Sequence, residues 1–229
     1  MKIAVLTGAG VSAESGINTF RDSGGLWEGH DVMEVASPQG WTRNKELVLD
    51  FYNQRRRQLF EVQPNAAHMA IAELEQQHEV VVITQNVDDL HERAGSTRVV
   101  HLHGELLKAR STLDESIVLD WKTDINLGDT CEKGSQLRPH IVWFGEMVPM
   151  IEVAASLVEI SDAIMIVGTS MQVYPAAGLM QYAPSHSRTF FVDPNPSLSS
   201  TPDGRITVFA EKATVGVPMA IQSMNEIRG

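Results

Sequence analysis

The sequence predicts an α/β protein, a doubly wound and mostly parallel sheet that carries a small insertion lobe. Short apolar runs recur along the 229 residues, and most are continuous and β-branched, as is typical of strands covered on both faces. Helical patterns separate several of these runs, and this alternation favours parallel strands joined by crossover helices. The predicted strands are Ile3–Thr7, Val80–Thr84, Val99–Leu102, His140–Phe144, Ala163–Val167, Thr189–Val192 and Ile206–Phe209.

Helices are expected between these strands and in one long early segment. Asn65–Gln77 follows a proline, and its first residue is of a type that commonly caps a helix N-terminus. The same periodicity predicts helices over about Lys45–Val62, Val148–Ile160 and Lys212–Ile227.

Two segments interrupt the alternation and predict insertions into a single domain of residues 1–229. The first, about 30–64, belongs to a stretch with no convincing strand and contains the long helix. The second, about 105–137, is polar and irregular and forms the small lobe. We expect apolar side chains to hold this lobe together, namely Leu106, Leu107, Ile117, Leu119, Trp121 and Leu127.

Composition excludes several classes of function. The formal net charge of −11 argues against sequence-independent binding of nucleic acid and makes a basic peptide the more natural partner. No apolar run is long enough to cross a membrane and the N-terminus lacks a signal peptide, so we expect a cytoplasmic protein. A single cysteine, Cys131, excludes an internal disulfide and a four-cysteine zinc site, and we predict no metal.

The first predicted strand runs into a glycine-rich loop in which Gly8, Gly10 and Ala13 fit the pattern G-x-G-x-x-A. Closely spaced glycines let a backbone approach a pyrophosphate at a helix N-terminus, although a tight turn without a ligand has the same pattern. A dehydrogenase would need a second strand that ends in an acidic residue about 20 positions later. No such strand follows here.

Five motifs in the expected order resemble the sirtuins, the NAD-dependent protein lysine deacylases. They are Gly8–Arg21, Thr84–His91, His103-Gly104, Val142–Glu146 and Gly168–Ser170. The resemblance implies a Rossmann-like catalytic domain, NAD as the cofactor, and acylated lysine-containing proteins or peptides as partners. It also implies that nicotinamide and O-acyl-ADP-ribose are released.

By resemblance, His103 and Asn86 are the catalytic residues. The reaction needs a base that works near neutral pH, and histidine is the side chain whose ordinary pKa suits that task. His103 follows the strand Val99–Leu102 and matches the catalytic histidine of the family. His101 projects to the same side of an ideal strand, so the residues alone do not exclude it.

The resemblance implies NAD contacts along the whole chain. Phe20 and Arg21 match a loop that closes over NAD, and Asp88 matches the residue that binds the nicotinamide carboxamide. The pattern departs from the family at Asp193, where an asparagine is expected, unless Asn195 takes that role. Ordinary turns and helix caps are the alternative for the strand-end residues. The expected NAD contacts are Gly8, Ala9, Gly10, Ser12, Ala13, Gly16, Phe20, Arg21, Trp27, Gln85, Asn86, Val87, Asp88, Gly168, Thr169, Ser170, Asp193, Asn195 and Ala213.

The long helix places Tyr52 and Arg55 three positions apart and therefore on one face. A phenol beside a guanidinium is a good receptor for a carboxylate. This arrangement resembles the class III sirtuins, which prefer succinyl- and malonyl-lysine to acetyl-lysine, and the small Ala36 leaves room for the longer acyl chain. The alternative is a solvated basic stripe. Val142 and Phe144 lie in the segment expected to bind the acyl-lysine peptide.

Other functions remain open on the residues alone. An ADP-ribosyltransferase or NAD glycohydrolase could share the fold, but neither needs the carboxylate receptor of Tyr52 and Arg55. A non-catalytic NAD sensor would not need His103, Asn86 and Asp88. Most sirtuins also hold a structural zinc between two C-x-x-C pairs, and this chain has only Cys131 in the corresponding insertion.

Overall fold

A six-stranded parallel sheet forms the centre of the fold in the computed structural model, which describes residues 1–17, 26–27, 29–169, 174 and 176–226. In chain order the strands are β1 Lys2–Thr7, β2 Leu26–Trp27, β3 His30–Asp31, β4 Glu79–Thr84, β5 Val99–His101, β6 Gly104–Ser111, β7 Val118–Asp120, β8 Leu137–Ile141, β9 Ala163–Val167, β10 Arg188–Val192 and β11 Ile206–Phe209. The α-helices are α1 Val32–Val35, α2 Pro38–Arg43, α3 Lys45–Leu59, α4 Ala66–Glu73, α5 Leu90–Ala94, α6 Ile151–Glu159 and α7 Ala213–Glu226.

The order of the strands in the central sheet is β11-β10-β9-β1-β4-β5, and all neighbours are parallel. The chain leaves β1 toward β4 and β5 and later returns on its other side through β9, so the order reverses at β1. In open α/β sheets a ligand crevice lies at the carboxyl ends of the strands at such a point. The predicted doubly wound α/β fold is confirmed.

Both faces of the sheet are buried, which explains the continuous apolar runs. On one face Ile3 and Val5 of β1 pack with Ile71 of α4 and Val217 of α7. On the other face the alternate β1 residues pack with α6. Because successive side chains of a strand point to opposite faces, every residue of a strand covered on both sides must be apolar or paired.

The helix predicted to begin at Asn65 is present as α4. The Asn65 side chain accepts a hydrogen bond from the Ala67 backbone N–H at 2.9 Å, and the His68 ring accepts one from the Asn65 backbone N–H. These reciprocal bonds satisfy two N–H groups that have no partner within the helix. They also fix the His68 ring beneath the glycine loop.

The segment 104–141, called the small lobe below, contains an antiparallel sheet of β7, β6 and β8. Two predictions were wrong here. The region expected to be irregular begins with the eight-residue strand β6, and the strand expected over His140–Phe144 lies at Leu137–Ile141 and pairs antiparallel with β6. A short apolar run does not distinguish parallel from antiparallel pairing, and the buried arginines of both strands hide their apolar pattern.

The core of the small lobe also differs from the prediction. Leu106 is buried as expected, but Leu119 is 37% exposed and Leu127 is 49% exposed. Their places are taken by Ile125 and Leu137, which are buried in the same cluster as the inner face of α3. The lobe is therefore packed against α3 as well as on itself.

The early insertion holds more structure than the sequence predicted. The residues of β2 and β3 form a short antiparallel pair where no strand was expected, since two residues per strand leave no readable pattern. Helices α1 and α2 follow, and α3 ends at Leu59. Among the described helices, none combines the length and apolar character needed to cross a membrane.

Candidate active site

A cavity of about 1020 Å³ opens at the carboxyl ends of β1, β4, β9 and β10 and extends to α3. This volume is at the upper end of the range for small-molecule sites. Gly16, predicted as a contact, ends a short turn with φ of +99° and is not part of the wall. Phe20, Arg21 and Ser170 lie outside the described residues. The predicted contacts that line the cavity are Gly8, Ala9, Gly10, Ser12, Ala13, Trp27, Ala36, Tyr52, Arg55, Gln85, Asn86, Val87, Asp88, His103, Val142, Phe144, Gly168, Thr169, Asp193, Asn195 and Ala213.

Two loops cross closely at the floor of the cavity. The Gly8 and Gly10 backbone N–H groups donate to the carbonyls of Val167 and Gly168 at 3.0 and 2.9 Å. A Cβ atom added to Gly10 would lie 2.6 Å from the Gly168 Cα atom, and one added to Gly8 would lie 2.8 Å from the Gly168 carbonyl oxygen. The glycines are therefore needed for packing between the two loops, in addition to the close ligand approach that the sequence suggested.

A buried hydrogen-bond network centred on Ser12 joins this floor to the loop after β4. The Ser12 hydroxyl donates to Asp88 Oδ2 at 3.0 Å and accepts from Asn86 Nδ2 at 3.1 Å. Its third neighbour is His68 Nε2 at 3.4 Å, and because His68 Nδ1 accepts from the Asn65 backbone, Nε2 is the donor. Sequence reasoning missed His68, although its place three positions after the capping Asn65 was a usable signal.

Burial sets the charge of two groups in this network. It raises the pKa of Asp88 to about 6, although hydrogen bonds from the Leu90 backbone and the Ser12 hydroxyl oppose the rise. It also lowers the pKa of His68 to about 4, so that ring is neutral near pH 7. The Asp88 carboxylate is therefore mostly ionised at pH 7 and can accept hydrogen bonds. It becomes protonated as the pH falls through about 6.

His103 lies at the wall with its ring half-buried. Its Nδ1 atom is 3.0 Å from the Gln85 carbonyl oxygen, which can only accept, so Nδ1 carries the hydrogen. Burial lowers the pKa of His103 below its ordinary value, although the Gln85 hydrogen bond opposes that effect. The neutral ring therefore leaves Nε2 as a proton acceptor, as a general base requires.

The far end of the cavity, after β10, contains the segment that departs from the family pattern. Asp193 is buried, and its carboxylate accepts a hydrogen bond from the Asn195 backbone N–H at 2.9 Å. Both residues line the cavity. The turn explains how an acidic residue and an asparagine two positions apart face the same space.

The opposite end of the cavity, near α3, is called the acyl end below. Tyr52 is fully buried, and its hydroxyl oxygen accepts a hydrogen bond from the Trp143 indole N–H at 3.0 Å. Burial raises the pKa of Tyr52 far above its ordinary value, although the Trp143 hydrogen bond opposes this, so the phenol stays protonated. Arg55 lines the same wall, with Nη1 2.8 Å from the Phe51 carbonyl and the guanidinium carbon 4.0 Å from the centre of the Phe51 ring.

Charged groups of the small lobe and of the segment that follows it contact Trp143. The Arg138 guanidinium carbon lies 3.2 Å from the centre of a Trp143 ring. Glu146 pairs with Arg138 at 2.7 Å and with Arg110 at 3.0 Å, and it also accepts from the Trp143 backbone N–H. Sequence reasoning named the Val142–Glu146 motif but not this network, because nothing local in the sequence pairs residues of β6 with residues beyond β8.

Helix α3 uses its other residues to hold the small lobe. Asn53 exchanges two hydrogen bonds of 2.9 Å with the Ile125 backbone, and Arg56 donates to the Leu106 carbonyl at 3.0 Å. Arg57 pairs with Asp124 on the surface. The expected alternative of a solvated basic stripe therefore does not describe this helix, since its three consecutive arginines point to three different partners.

Within the described residues, no group of three or more His, Cys, Asp or Glu side chains is placed to hold a metal ion. Cys131 is buried in the small lobe, with its sulfur 3.2 Å from the Ser135 hydroxyl.

The profile of the Sir2 family matches residues 8–175, which is more than half of the chain. The chain belongs to the Sir2 family. The resemblance to sirtuins that the five motifs suggested is thereby confirmed.

Similarity to individual proteins supports this assignment. An NAD-dependent protein deacylase of Helicobacter pylori is 62% identical over 192 residues, which are 84% of this chain and 82% of that protein. A protein of the same name from Bacteroides thetaiotaomicron is 51% identical over 221 residues, 94% of both chains. A solved Sir2 homologue in complex with NAD superposes with a TM-score of 0.85 at 38% identity, covering 99% of this chain and 90% of that one.

Proposed function

We propose that this Sir2-family protein, an NAD-dependent protein deacylase, removes succinyl and malonyl groups from lysine side chains in preference to acetyl groups. The preference rests on one observation: Tyr52 and Arg55 both line the cavity that also contains His103. An acetyl group offers nothing for this pair to bind, whereas the carboxylate of a succinyl or malonyl group does.

The donor chemistry of Tyr52 supports this proposal. An indole N–H can only donate, so the Tyr52 oxygen is the acceptor in its bond to Trp143 and the hydrogen of the phenol is left for another acceptor. An ionised carboxylate is an acceptor-only group, and the raised pKa of Tyr52 keeps that hydrogen in place. Arg55 adds positive charge and further N–H donors at the same wall.

The residues at the end of the cavity away from α3, called the cofactor end below, fit NAD. The close crossing of the loops at Gly8 and Gly168 gives a backbone floor without side chains, which a pyrophosphate can approach. The Asp88 carboxylate can accept from a carboxamide N–H, and Asp193 lies at the end of a strand where a ribose hydroxyl would need an acceptor. We assign the phosphates to the glycine loop, the nicotinamide to Asp88, and the adenosine half to the Asp193–Asn195 segment and Ala213.

When bound, NAD would supply the electrophilic C1′ carbon of its nicotinamide ribose, so that acyl-lysine and one water molecule would yield free lysine and O-acyl-ADP-ribose with loss of nicotinamide. His103 accepts a proton from a ribose hydroxyl at Nε2, because its Nδ1 hydrogen is held by the Gln85 carbonyl. Asn86 is fixed through Ser12 and orients the reacting groups beside it. The Val142–Phe144 segment borders the acyl-lysine chain, and the small Ala36 leaves it room.

The test compares one peptide in succinyl-, malonyl- and acetyl-lysine forms with purified protein and NAD, followed by mass spectrometry of both products. We expect higher kcat/KM for the succinyl and malonyl peptides. Arg55→Met should lower desuccinylation by about 10- to 100-fold, the value of a charged hydrogen bond, and leave deacetylation almost unchanged.

Arg57→Met is the matched control because it removes an arginine of the same helix that pairs with Asp124 outside the cavity. It should change neither activity. Equal loss of both activities in Arg55→Met, or faster deacetylation by the unaltered protein, would overturn the acyl preference. Nicotinamide release without peptide turnover would favour an NAD glycohydrolase or ADP-ribosyltransferase instead.

A further inference from the structure

Two histidines bind consecutive backbone carbonyls of the loop after β4. His103 Nδ1 is 3.0 Å from the Gln85 carbonyl oxygen, and His101 Nδ1 is 3.1 Å from the Asn86 carbonyl oxygen. The Leu102 backbone N–H between them donates to the carbonyl of Thr84 at 2.9 Å. Three successive carbonyls are thus held by three successive residues, which fixes the loop that carries Asn86.

The two histidines differ in what surrounds the second ring nitrogen, Nε2. His103 lines the cavity, whereas His101 is absent from its wall and its Nε2 atom lies 2.7 Å from Glu92 Oε1. A backbone carbonyl and an ionised carboxylate both only accept, so both nitrogens of His101 must donate. These two contacts favour the imidazolium form of His101, whose side chain is only 8% exposed and bridges α5 to the loop after β4.

The charges around His101 agree with this assignment. Burial alone would lower the pKa of His101, but the hydrogen bond and charge of Glu92 outweigh it, helped by the Asn86 carbonyl and Glu105 of β6, and the pKa is raised. Asp88 adds a further negative group nearby. Burial and the nearby His101 lower the pKa of His91 well below its ordinary value, so that ring is neutral, and Lys108 pairs with Glu105 at 2.8 Å.

We propose that His101, clamped by Glu92, is a positioning residue that holds Asn86 in its catalytic place by donating from a charged imidazole to the Asn86 carbonyl. This rests on the proposed role of Asn86 in deacylation. When His101 loses a proton, the shorter bond to the Glu92 carboxylate keeps Nε2–H, so Nδ1 becomes a lone pair that faces the carbonyl oxygen and repels it.

The proposal predicts which groups set the two limbs of the pH profile of kcat. The rising limb reflects two groups, namely ionisation of Asp88, whose pKa burial raises to about 6, and deprotonation of His103, whose pKa lies below 6.5. Deprotonation of His101, whose pKa lies above 6.5, gives the falling limb. Glu92→Gln should lower the pKa of His101 and move the falling limb down by about one pH unit.

Two substitutions separate the hydrogen bond from the charge. His101→Asn keeps an N–H donor near the position of Nδ1 but has no titratable group, so it should retain most of kcat and lose the falling limb. His101→Leu has no donor and should lower kcat about 10-fold at unchanged KM for the peptide. Displacement of Asn86 would slow the chemical step without weakening peptide binding. Arg98→Gln, which breaks an exposed ion pair with Glu79 on the adjacent strand, is the control and should alter neither limb.

NMR of the protein without NAD provides a readout that is independent of activity. The His101 ring should titrate above 6.5 with both nitrogens protonated below that point, and His101→Leu should shift the backbone resonances of Asn86 where Arg98→Gln does not. A neutral His101 near pH 6, or unchanged Asn86 resonances, would overturn the proposal. So would a falling limb that persists in His101→Asn. Absence of deacylation by the unaltered protein would contradict the proposed function alone. The NMR titration would still test whether His101 is charged and holds the Asn86 backbone.

Discussion

The two ends of the cavity are built in different ways. At the cofactor end, the loops after β1, β4 and β9 are held by backbone hydrogen bonds and by glycines that allow the loops to cross. At the acyl end, the Tyr52 hydroxyl is oriented by side-chain contacts, through Trp143 and the pair of Arg138 with Glu146. The first end is fixed by the central sheet, while the second depends on how the small lobe packs on α3. This difference predicts that the acyl group accepted can change without loss of the NAD chemistry.

The largest expected effect is at the cofactor end. His103→Asn should lower deacylation of every acyl peptide by about 1000-fold, because a general base contributes roughly 10²–10⁴ in rate. His186→Gln alters an exposed histidine of the described surface and should leave the rate unchanged. Selective loss of one acyl activity in His103→Asn would contradict the separation of the two ends.

Asp88→Asn should lower deacylation by about 100-fold, since it removes a charged acceptor, yet stabilise the fold. The folded-state pKa of about 6 exceeds the ordinary 3.8, so ionisation of Asp88 opposes folding. This cost is absent below pH 3.8, develops as pH rises, and is complete above about pH 6. At about pH 8, denaturation by urea should show a gain of about 1–3 kcal/mol in the free energy of unfolding. A loss of stability there would show that the carboxylate is better solvated than its burial indicates.

Gly10→Ala tests the loop crossing. The added Cβ would lie within 3 Å of the Gly168 backbone, which cannot rotate away, so we expect a loss of about 1–3 kcal/mol in stability and a higher KM for NAD. Gly178→Ala is the control, because its Cβ would meet nothing closer than a Tyr174 side-chain atom at 3.8 Å. Equal melting temperatures of the two variants would contradict the close crossing.

The smallest effect is expected from Trp143→Phe, which removes the N–H that holds Tyr52. The kcat/KM ratio of succinyl to acetyl peptide should fall about 5-fold, the value of one neutral hydrogen bond. Trp121→Phe removes a similar N–H, to the Asp124 carbonyl within the small lobe, and should not change that ratio. A change in KM for NAD in Trp143→Phe would contradict the independence of the cofactor end.

The sequence predicted the cofactor end better than the acyl end, for a physical reason. Strands of the central sheet, such as Ala163–Val167, are buried on both faces and leave continuous apolar runs, so their ends and the loops that follow could be found. The strand β8 contains Arg138 and a proline, and its pairing with β6 depends on contacts between distant parts of the chain. The spacing of Tyr52 and Arg55 predicted a shared helix face, but no local pattern predicted that Trp143 would orient the phenol.

A crystal structure with a succinyl-lysine peptide and NAD or ADP-ribose bound would show whether Tyr52 and Arg55 receive the carboxylate. We expect the succinyl carboxylate within about 3 Å of both the Tyr52 hydroxyl and an Arg55 nitrogen, with Trp143 still bonded to the Tyr52 oxygen. A carboxylate that points to solvent, or that binds the other wall of the cavity, would contradict it.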